Sequence, residues 1–159
     1  IMKIIVLAGG LSTERDVSLS SAAGICRTLL EKGHDAYLLD VFLGLNDPPE
    51  NLEDVFTLPG HGLEIAGNIG TEEPDLEAVK ASRPDQSGCF LGPNVIELCR
   101  MADITFLGLH GGEGENGKLQ APFVLLRRCW TKIRPSVTSG AASPPDGNTR
   151  ARMLSPEDG

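Results

Sequence analysis

The sequence predicts a three-layer α/β domain with a mainly parallel sheet of about four strands, followed by a disordered carboxy-terminal tail. Apolar, β-branched runs at 3–8, 35–41 and 102–109 are typical of strands that are buried on both faces. The first two runs are separated by a segment in which apolar residues recur at helical spacing. Strands that alternate with helices form βαβ units, which build parallel sheets covered by helices.

The first βαβ unit occupies the start of the chain. Its first strand ends at Gly9 and Gly10, and we expect the helix to begin near Ser18, whose hydroxyl can cap the first turn. Lys32 and Gly33 form a common helix ending, after which the second strand runs to residue 41.

The middle of the chain is less regular. Residues 44–93 are rich in proline, glycine and acidic residues, so we expect short irregular elements over one edge of the sheet, with a weak helix at 75–81. A short helix at 93–99 leads into the strand at 102–109. A second glycine-rich loop follows at 110–117, and Pro122 interrupts the helix expected after it.

The chain changes character near residue 126. Acidic side chains outnumber basic ones before this point, whereas basic side chains outnumber acidic ones at 127–159. Helical periodicity is lost there, and the end is rich in serine, proline and glycine. We therefore divide the chain into a folded domain at 2–126 and a tail at 127–159 that we expect to be disordered.

Composition limits the expected partners. The formal net charge of −8 argues against nucleic acid or an anionic membrane, because both bind through basic surfaces. No apolar run approaches the roughly 18 residues of a membrane span, so a cytoplasmic location is expected. The four cysteines show no C-x-x-C spacing, which disfavours a metal site, and Cys26 and Cys99 lie in apolar surroundings typical of core residues.

Two glycine-rich loops form the candidate site. Residues 9–18 follow the first strand, and residues 110–117 follow the third. In a doubly wound sheet, ligands bind where the loops after neighbouring strands meet. We expect these two strands to be neighbours, so Glu14 and His110 would line one crevice. A carboxylate in that position suits a cationic ligand better than a phosphate.

Other interpretations stay open at this point. A glycine-rich turn can serve packing alone, Glu14 can favour the helix N-terminus through the helix dipole, and His110 can cap a carbonyl group. A nicotinamide cofactor would use an acid such as Asp40 at the end of the second strand. However, the first loop lacks the G-x-G-x-x-G pattern, and Glu14 would repel a pyrophosphate.

The two loops also carry a family resemblance. The stretches GGLSTERDVSL (9–19) and LHGGEGENGKLQ (109–120) resemble the amino-terminal, pre-ATP-grasp domain of D-alanine–D-alanine ligases, over about residues 2–121. The resemblance implies a Rossmann-like fold and a ligase that uses ATP to join two D-alanines for the peptidoglycan of the cell wall. It also implies a homodimer formed through this domain.

The resemblance implies roles for individual residues. Glu14 would pair with the ammonium group of the first D-alanine, Val17 would lie near its methyl group, and His110 would lie beside its carboxylate and the reacting centre. Glu14 and His110 are thus the implied catalytic residues. The implied substrate-binding set adds the residues around them, namely Gly9, Gly10, Ser18 and Gly111.

The ATP-grasp half of the family is not recognisable after Gln120. In the family that half binds ATP and Mg²⁺ (or Mn²⁺), so we expect this chain alone to bind neither and to have no ligase activity. A truncated gene or a shifted reading frame after about residue 121 would explain the change, and translation of the DNA in the other two frames tests this. The second substrate, D-alanine or D-lactate, stays open. A non-catalytic amino-acid-binding domain is the alternative function, and a nicotinamide-binding domain is the less favoured one.

Overall fold

The structure is a computed structural model that describes residues 1–67, 70 and 72–110, together with the backbone of 129–132. Four parallel strands form one sheet: β1 at Lys3–Ala8, β2 at Asp35–Asp40, β3 at Ile104–Leu107 and β4 at Cys129–Lys132. Their order is β2-β1-β3-β4. The predicted parallel sheet is confirmed, and so is the prediction that the first and third strands are neighbours.

Helices cover both faces of the sheet. The helix α1 at Arg15–Glu31 lies on one face, and short 3-10 helices lie at Leu52–Thr57 and Leu63–Ala66. The helix α2 at Leu76–Ser82 has no buried residue, and α3 at Val95–Met101 lies on the other face. Successive side chains of a strand point to opposite faces. One set from β1, including Ile4 and Val6, packs against α1, and the other set, including Ile5 and Leu7, packs against α3. This arrangement confirms the three-layer α/β fold.

Helix α1 begins earlier than the sequence predicts. Its first residue is Arg15, and Glu14 occupies the N-cap position without a side-chain capping bond. Ser18 lies inside the helix, where its hydroxyl donates to the carbonyl of Gly108 at 2.7 Å and accepts from the amide of Gly9 at 3.0 Å. The prediction that Ser18 starts the helix is wrong because this hydroxyl bonds to groups at the ends of β1 and β3 and not to the first helical turn.

Strand β4 lies in a segment for which the sequence predicts a disordered tail. It pairs in parallel with β3, and Cys129 lies opposite Ile104. These four residues depart from the prediction for 127–159, because a strand this short shows no alternation in sequence and depends on its neighbour for pairing. The other predictions for 111–128 and 133–159, including the helix interrupted by Pro122, lie outside the described residues.

The irregular middle segment was predicted in outline. Helix α2 falls one residue after the predicted span, and Asp75 caps it by accepting from the amides of Glu77 and Ala78 at 3.1 Å.

No helix in the described part of the chain is both long enough and apolar enough to cross a membrane.

Candidate functional site

The loops after β1 and β3 contact each other at one edge of the sheet. The hydroxyl of Ser12 donates to the carbonyl of His110 at 3.0 Å, and the amide of Gly108 donates to the carbonyl of Leu7 at 2.7 Å. A small cavity of about 10 Å³ separates the loops, which is room for a single water molecule. Its lining comes from both loops and from one residue of the middle segment: Gly9, Gly10, Leu11, Ser12, Phe90, Leu109 and His110.

The loop between β1 and α1 has an inward side and an exposed side. Ser12, Arg15 and Ser18 bond to neighbouring loops or strand ends. Glu14 is exposed, and the Val17 side chain is 58% exposed. Residues three apart lie on the same face of a helix, so Arg15 and Ser18 both face the sheet. The exposed residues between these inward positions, Thr13, Glu14 and Val17, are therefore available to a ligand.

Arg15 forms a buried ion pair with Asp40. Its guanidinium also donates to the carbonyl of Gly10 at 2.8 Å, and the second carboxylate oxygen of Asp40 accepts from the amides of Phe42 and Leu43 at 2.9 and 3.0 Å. Only 7% of Arg15 and 2% of Asp40 is exposed. Both oxygens of the Asp40 carboxylate thus bond to internal groups of the protein. This argues against Asp40 as the acid that binds the ribose of a nicotinamide cofactor.

Gly9 of the first loop lies directly against this ion pair. Gly9 has a φ of +75°, and a Cβ placed on it would lie 2.4 Å from the Asp40 carboxylate oxygen. An L-residue is strained in this conformation. The amide of Gly9 is already bonded to Ser18. Gly9 therefore serves the close approach of α1 and β2, and its amide is not directed at an anion.

His110 and Gly111 were predicted to belong to the same site. His110 is half-buried, and its backbone carbonyl receives the hydrogen bond from Ser12. The loop that follows, from Gly111 onward, lies outside the described residues. The structure thus brings His110 to the cavity that Gly9 and Gly10 line, whereas Glu14 and Val17 are exposed outside that lining.

A loop at 83–91 closes one side of the cavity. The guanidinium of Arg83, which is 2% exposed, donates to the carbonyls of Cys89 and Leu91 on either side of Phe90. A Cβ placed on Gly10 would lie 3.4 Å from the Phe90 ring. Phe90 thus forms part of the cavity lining. The irregular sequence at 44–93 does not predict this role.

From the sequence, Asp40 is considered only as a possible ribose-binding acid, and its ion pair with Arg15 is not predicted, although a signal is present. Arg15, Leu19 and Ala22 follow helical spacing along the buried face of α1. A charged residue in an apolar stripe predicts a buried charge, and a buried charge needs a partner. Asp40, at the end of the neighbouring buried strand, was an available carboxylate.

The described residues do not fit a nucleotide with its metal ion. None of them form a group of three or more His, Cys, Asp or Glu side chains that could hold a metal. The first glycine loop offers no free amide at Gly9 for a phosphate. Burial raises the pKa of the Cys26 thiol to about 11 and that of Cys99 to about 12, so both are protonated at neutral pH and are poor nucleophiles.

Comparison with known proteins places the chain in a sequence family. The family model described as "D-ala D-ala ligase N-terminus" matches residues 3–131, which reaches into β4. D-alanine–D-alanine ligase of Lacticaseibacillus casei (strain BL23) is 48% identical over 124 residues, covering 77% of this chain and 34% of that protein. The Pediococcus pentosaceus ligase is 47% identical over 123 residues, covering 76% and 34%.

The chain therefore spans about a third of the length of these curated relatives. Among solved structures, the VanG D-Ala:D-Ser ligase from Enterococcus faecalis matches with a TM-score of 0.44 and 23% identity. That match covers 81% of this chain and 35% of the VanG chain.

Proposed function

Because the chain belongs to the D-Ala–D-Ala ligase N-terminus family, we propose that it holds the first D-alanine in an ATP-dependent D-alanine–D-alanine ligase. The chain corresponds to the amino-terminal portion of these ligases. The reaction would supply the dipeptide for peptidoglycan. The observation that carries the proposal is the exposed carboxylate of Glu14 at the end of β1, on a loop that contacts the His110 loop.

Glu14 is proposed to bind the ammonium group of the substrate. Ser12 and Arg15, on either side of it, bond to internal groups, and Glu14 is exposed at the start of α1. A carboxylate accepts charge-assisted hydrogen bonds from an ammonium group, and these are stronger than neutral ones. Val17 lies one turn further along α1 and is proposed to contact the methyl group of the same substrate.

His110 is proposed to lie beside the carboxylate of that D-alanine. Its backbone is held by Ser12, so the imidazole would start from a fixed position relative to the first loop. In the proposed reaction ATP phosphorylates the carboxylate, the amine of the second substrate attacks the carbonyl carbon of the resulting acyl phosphate, and phosphate leaves as the amide bond forms and the amine loses its proton. An imidazole at this place can donate a hydrogen bond to the negative charge that develops on the oxygen of the attacked carbonyl group.

Ser18, Gly9 and Gly10 are proposed to shape the site without contacting the substrate through their side chains. The Ser18 side chain is fully buried, and its hydroxyl joins Gly9 to Gly108. The two glycines allow the loop to pass close to Asp40 and Phe90. The side chains that we propose to contact the substrate are therefore those of Glu14, Val17 and His110.

ATP and Mg²⁺ (or Mn²⁺) are proposed to bind a part of the ligase that this chain does not carry. Phosphoryl transfer depends on metal ions and cationic groups around the phosphates, and among the described residues no group of three or more His, Cys, Asp or Glu side chains could hold such a metal ion. We therefore expect no ADP release when the purified chain is mixed with ATP, Mg²⁺ and D-alanine. Clear turnover in a coupled ADP assay would contradict this part of the proposal.

The cellular setting follows from the same proposal. A ligase that consumes ATP is expected in the cytoplasm, with small-molecule substrates as its ligands. The net charge of −8 supports the expectation that neither nucleic acid nor an anionic membrane is a partner. The homodimer implied by the resemblance remains a prediction, and light scattering coupled to gel filtration would test it through the mass of the particle.

Titration with D-alanine tests the ammonium role of Glu14. We expect Glu14→Gln to weaken binding by about tenfold to a hundredfold, because a hydrogen bond to a charged group contributes about 1.5–3 kcal/mol. Asp16→Asn is the matched control, since it removes the same charge two residues away and should bind as the wild type does. NMR spectra of the full chain, followed during the titration, give both affinities. Equal affinities for Glu14→Gln and wild type would contradict the proposal.

A further inference from the structure

We propose that Arg15, acting through its ion pair with Asp40, is a positioning residue that fixes the loop from which Glu14 reaches the substrate. The inference rests on the proposed function, because it explains how the ammonium-binding carboxylate is held. Arg15 itself is 7% exposed and faces the sheet, so it does not contact a ligand in the crevice.

The guanidinium group joins the two ends of the loop. One of its nitrogens donates to the carbonyl of Gly10, where the loop begins, while its own residue is the first of α1, where the loop ends. The amide of Arg15 also donates to the carbonyl of Ser12 at 3.0 Å. Glu14 directly precedes Arg15, so its backbone is fixed from both sides.

The ion pair also attaches this closed loop to β2. Asp40 accepts from Arg15 with one oxygen and from the amides of Phe42 and Leu43 with the other. Ser12 and Ser18 attach the same loop to the β3 side through the carbonyls of His110 and Gly108, shown by bonds of 3.0 and 2.7 Å. The loop is therefore held from both neighbouring strands, and Arg15 provides the β2 attachment.

The chemistry of arginine suits this task. A planar guanidinium directs several N–H groups in fixed directions, so one side chain can bond to a carbonyl and a carboxylate at once. A lysine keeps the charge but places it at one point. A buried ion pair contributes little net stability compared with apolar residues of similar volume, and its best-attested use is to specify an arrangement. Arg15→Lys therefore separates charge from geometry.

Hydrogen exchange in the ligand-free chain tests the attachment. In Arg15→Lys we expect the amides of Phe42 and Leu43 to exchange at least tenfold faster, because the Asp40 carboxylate that holds them loses its fixed partner. Amides within β1, such as Val6, should keep their rates. Arg27→Lys, an exposed position on the same helix, is the matched control and should change neither set. Uniform acceleration of all slow amides, or no acceleration at Phe42 and Leu43, would overturn the proposal.

Ligand selectivity tests the positioning role. D-lactate has the carboxylate and methyl group of D-alanine but a hydroxyl in place of the ammonium group, so only D-alanine offers Glu14 a cation. We expect Arg15→Lys to reduce the ratio of D-alanine to D-lactate affinity by about tenfold. A mere loosening of the fold would weaken both ligands equally and leave the ratio unchanged, which would overturn the proposal.

A second variant covers the case in which Arg15→Lys does not fold. Arg15→Gln combined with Asp40→Asn removes both charges while keeping an acceptor for the amides of Phe42 and Leu43. It should fold and show the same loss of selectivity. If it keeps the wild-type ratio, the positioning role is overturned.

The same titrations separate this inference from the proposed function. A wild-type chain that binds D-alanine no better than D-lactate, with no effect of Glu14→Gln, overturns the proposed function and the positioning role together. A ratio that Glu14→Gln lowers but Arg15→Lys leaves unchanged overturns the positioning role alone.

Discussion

Single residues of the loop between β1 and α1 divide into those that hold the loop and those left exposed. Ser12, Arg15 and Ser18 bond to backbone or carboxylate groups of neighbouring segments, whereas Glu14 and Val17 are exposed. The sequence could predict that this loop belongs to a ligand-binding site and that its carboxylate suits a cation. It could not predict that Ser12, Arg15 and Ser18 bond to internal groups, because the partners of these side chains come from β2 and β3 and are distant in sequence.

Gly9→Ala tests the close approach at the end of β1. The added Cβ would lie 2.4 Å from the Asp40 carboxylate in a left-handed backbone conformation, so we expect the free energy of unfolding to fall by about 3 kcal/mol. Gly24→Ala is the control, since nothing lies within 4 Å of its added Cβ in the interior of α1. That change should stabilise the chain by about 0.5–1 kcal/mol. Urea unfolding measures both, and equal effects would contradict the account of Gly9.

Ser18→Ala tests the bridge between β1 and β3. The change leaves the amide of Gly9 and the carbonyl of Gly108 without their buried partner, so we expect a loss of about 2–3 kcal/mol in the free energy of unfolding. Ser20→Ala changes an exposed serine two residues further along α1 and should cost nothing measurable. Thermal or urea unfolding of both variants gives the comparison. A Ser18→Ala variant as stable as Ser20→Ala would show that the bridge is not formed.

The secondary-structure elements were predicted well where apolar periodicity is strong. Strand β1 matches the prediction residue for residue, and α3 and β3 differ from it by about two residues at their ends. The start of α1 was misplaced because Ser18 bonds across the sheet. Strand β4 was missed because its four residues carry no alternation of their own and are ordered by pairing with β3.

Two helices place cysteines in the core, and this gives a pH dependence. Burial raises the pKa of Cys26 in α1 to about 11 and that of Cys99 in α3 to about 12. A thiol whose pKa is higher in the folded state favours folding below the unfolded-state pKa, about 8.5, and that contribution is lost as the pH rises toward 11 and 12. We expect each thiol to lower the free energy of unfolding by up to about 1.4 kcal/mol per pH unit in that window.

The measurement compares urea unfolding at pH 8 and pH 10. The loss of stability between these pH values should be smaller in Cys26→Ala than in the wild type. Cys89→Ala is the control, because Cys89 is exposed and should leave the pH dependence unchanged. The same slope in all three proteins would show that Cys26 does not titrate as its burial implies.

The whole molecule is organised around the point where the strand order departs from the chain order. Strands β1 and β3 are neighbours although α1, β2 and the middle segment lie between them in sequence. Ligands of doubly wound sheets bind beside such a point, and both glycine-rich loops begin there. The fold could be predicted to this level because βαβ units leave few alternatives. The size of the cavity could not be predicted, because Phe90 lines it from a segment without periodicity.

The proposed function depends on the recognition of an ammonium group by Glu14, and a titration with two ligands tests this recognition. The affinities of the full chain for D-alanine and D-lactate are measured for the wild type and for Glu14→Gln. We expect the wild type to prefer D-alanine by at least about tenfold, the effect of one charge-assisted hydrogen bond, and Glu14→Gln to bind the two ligands about equally. Equal binding of the two ligands by the wild type, or an undiminished preference in Glu14→Gln, would contradict this recognition.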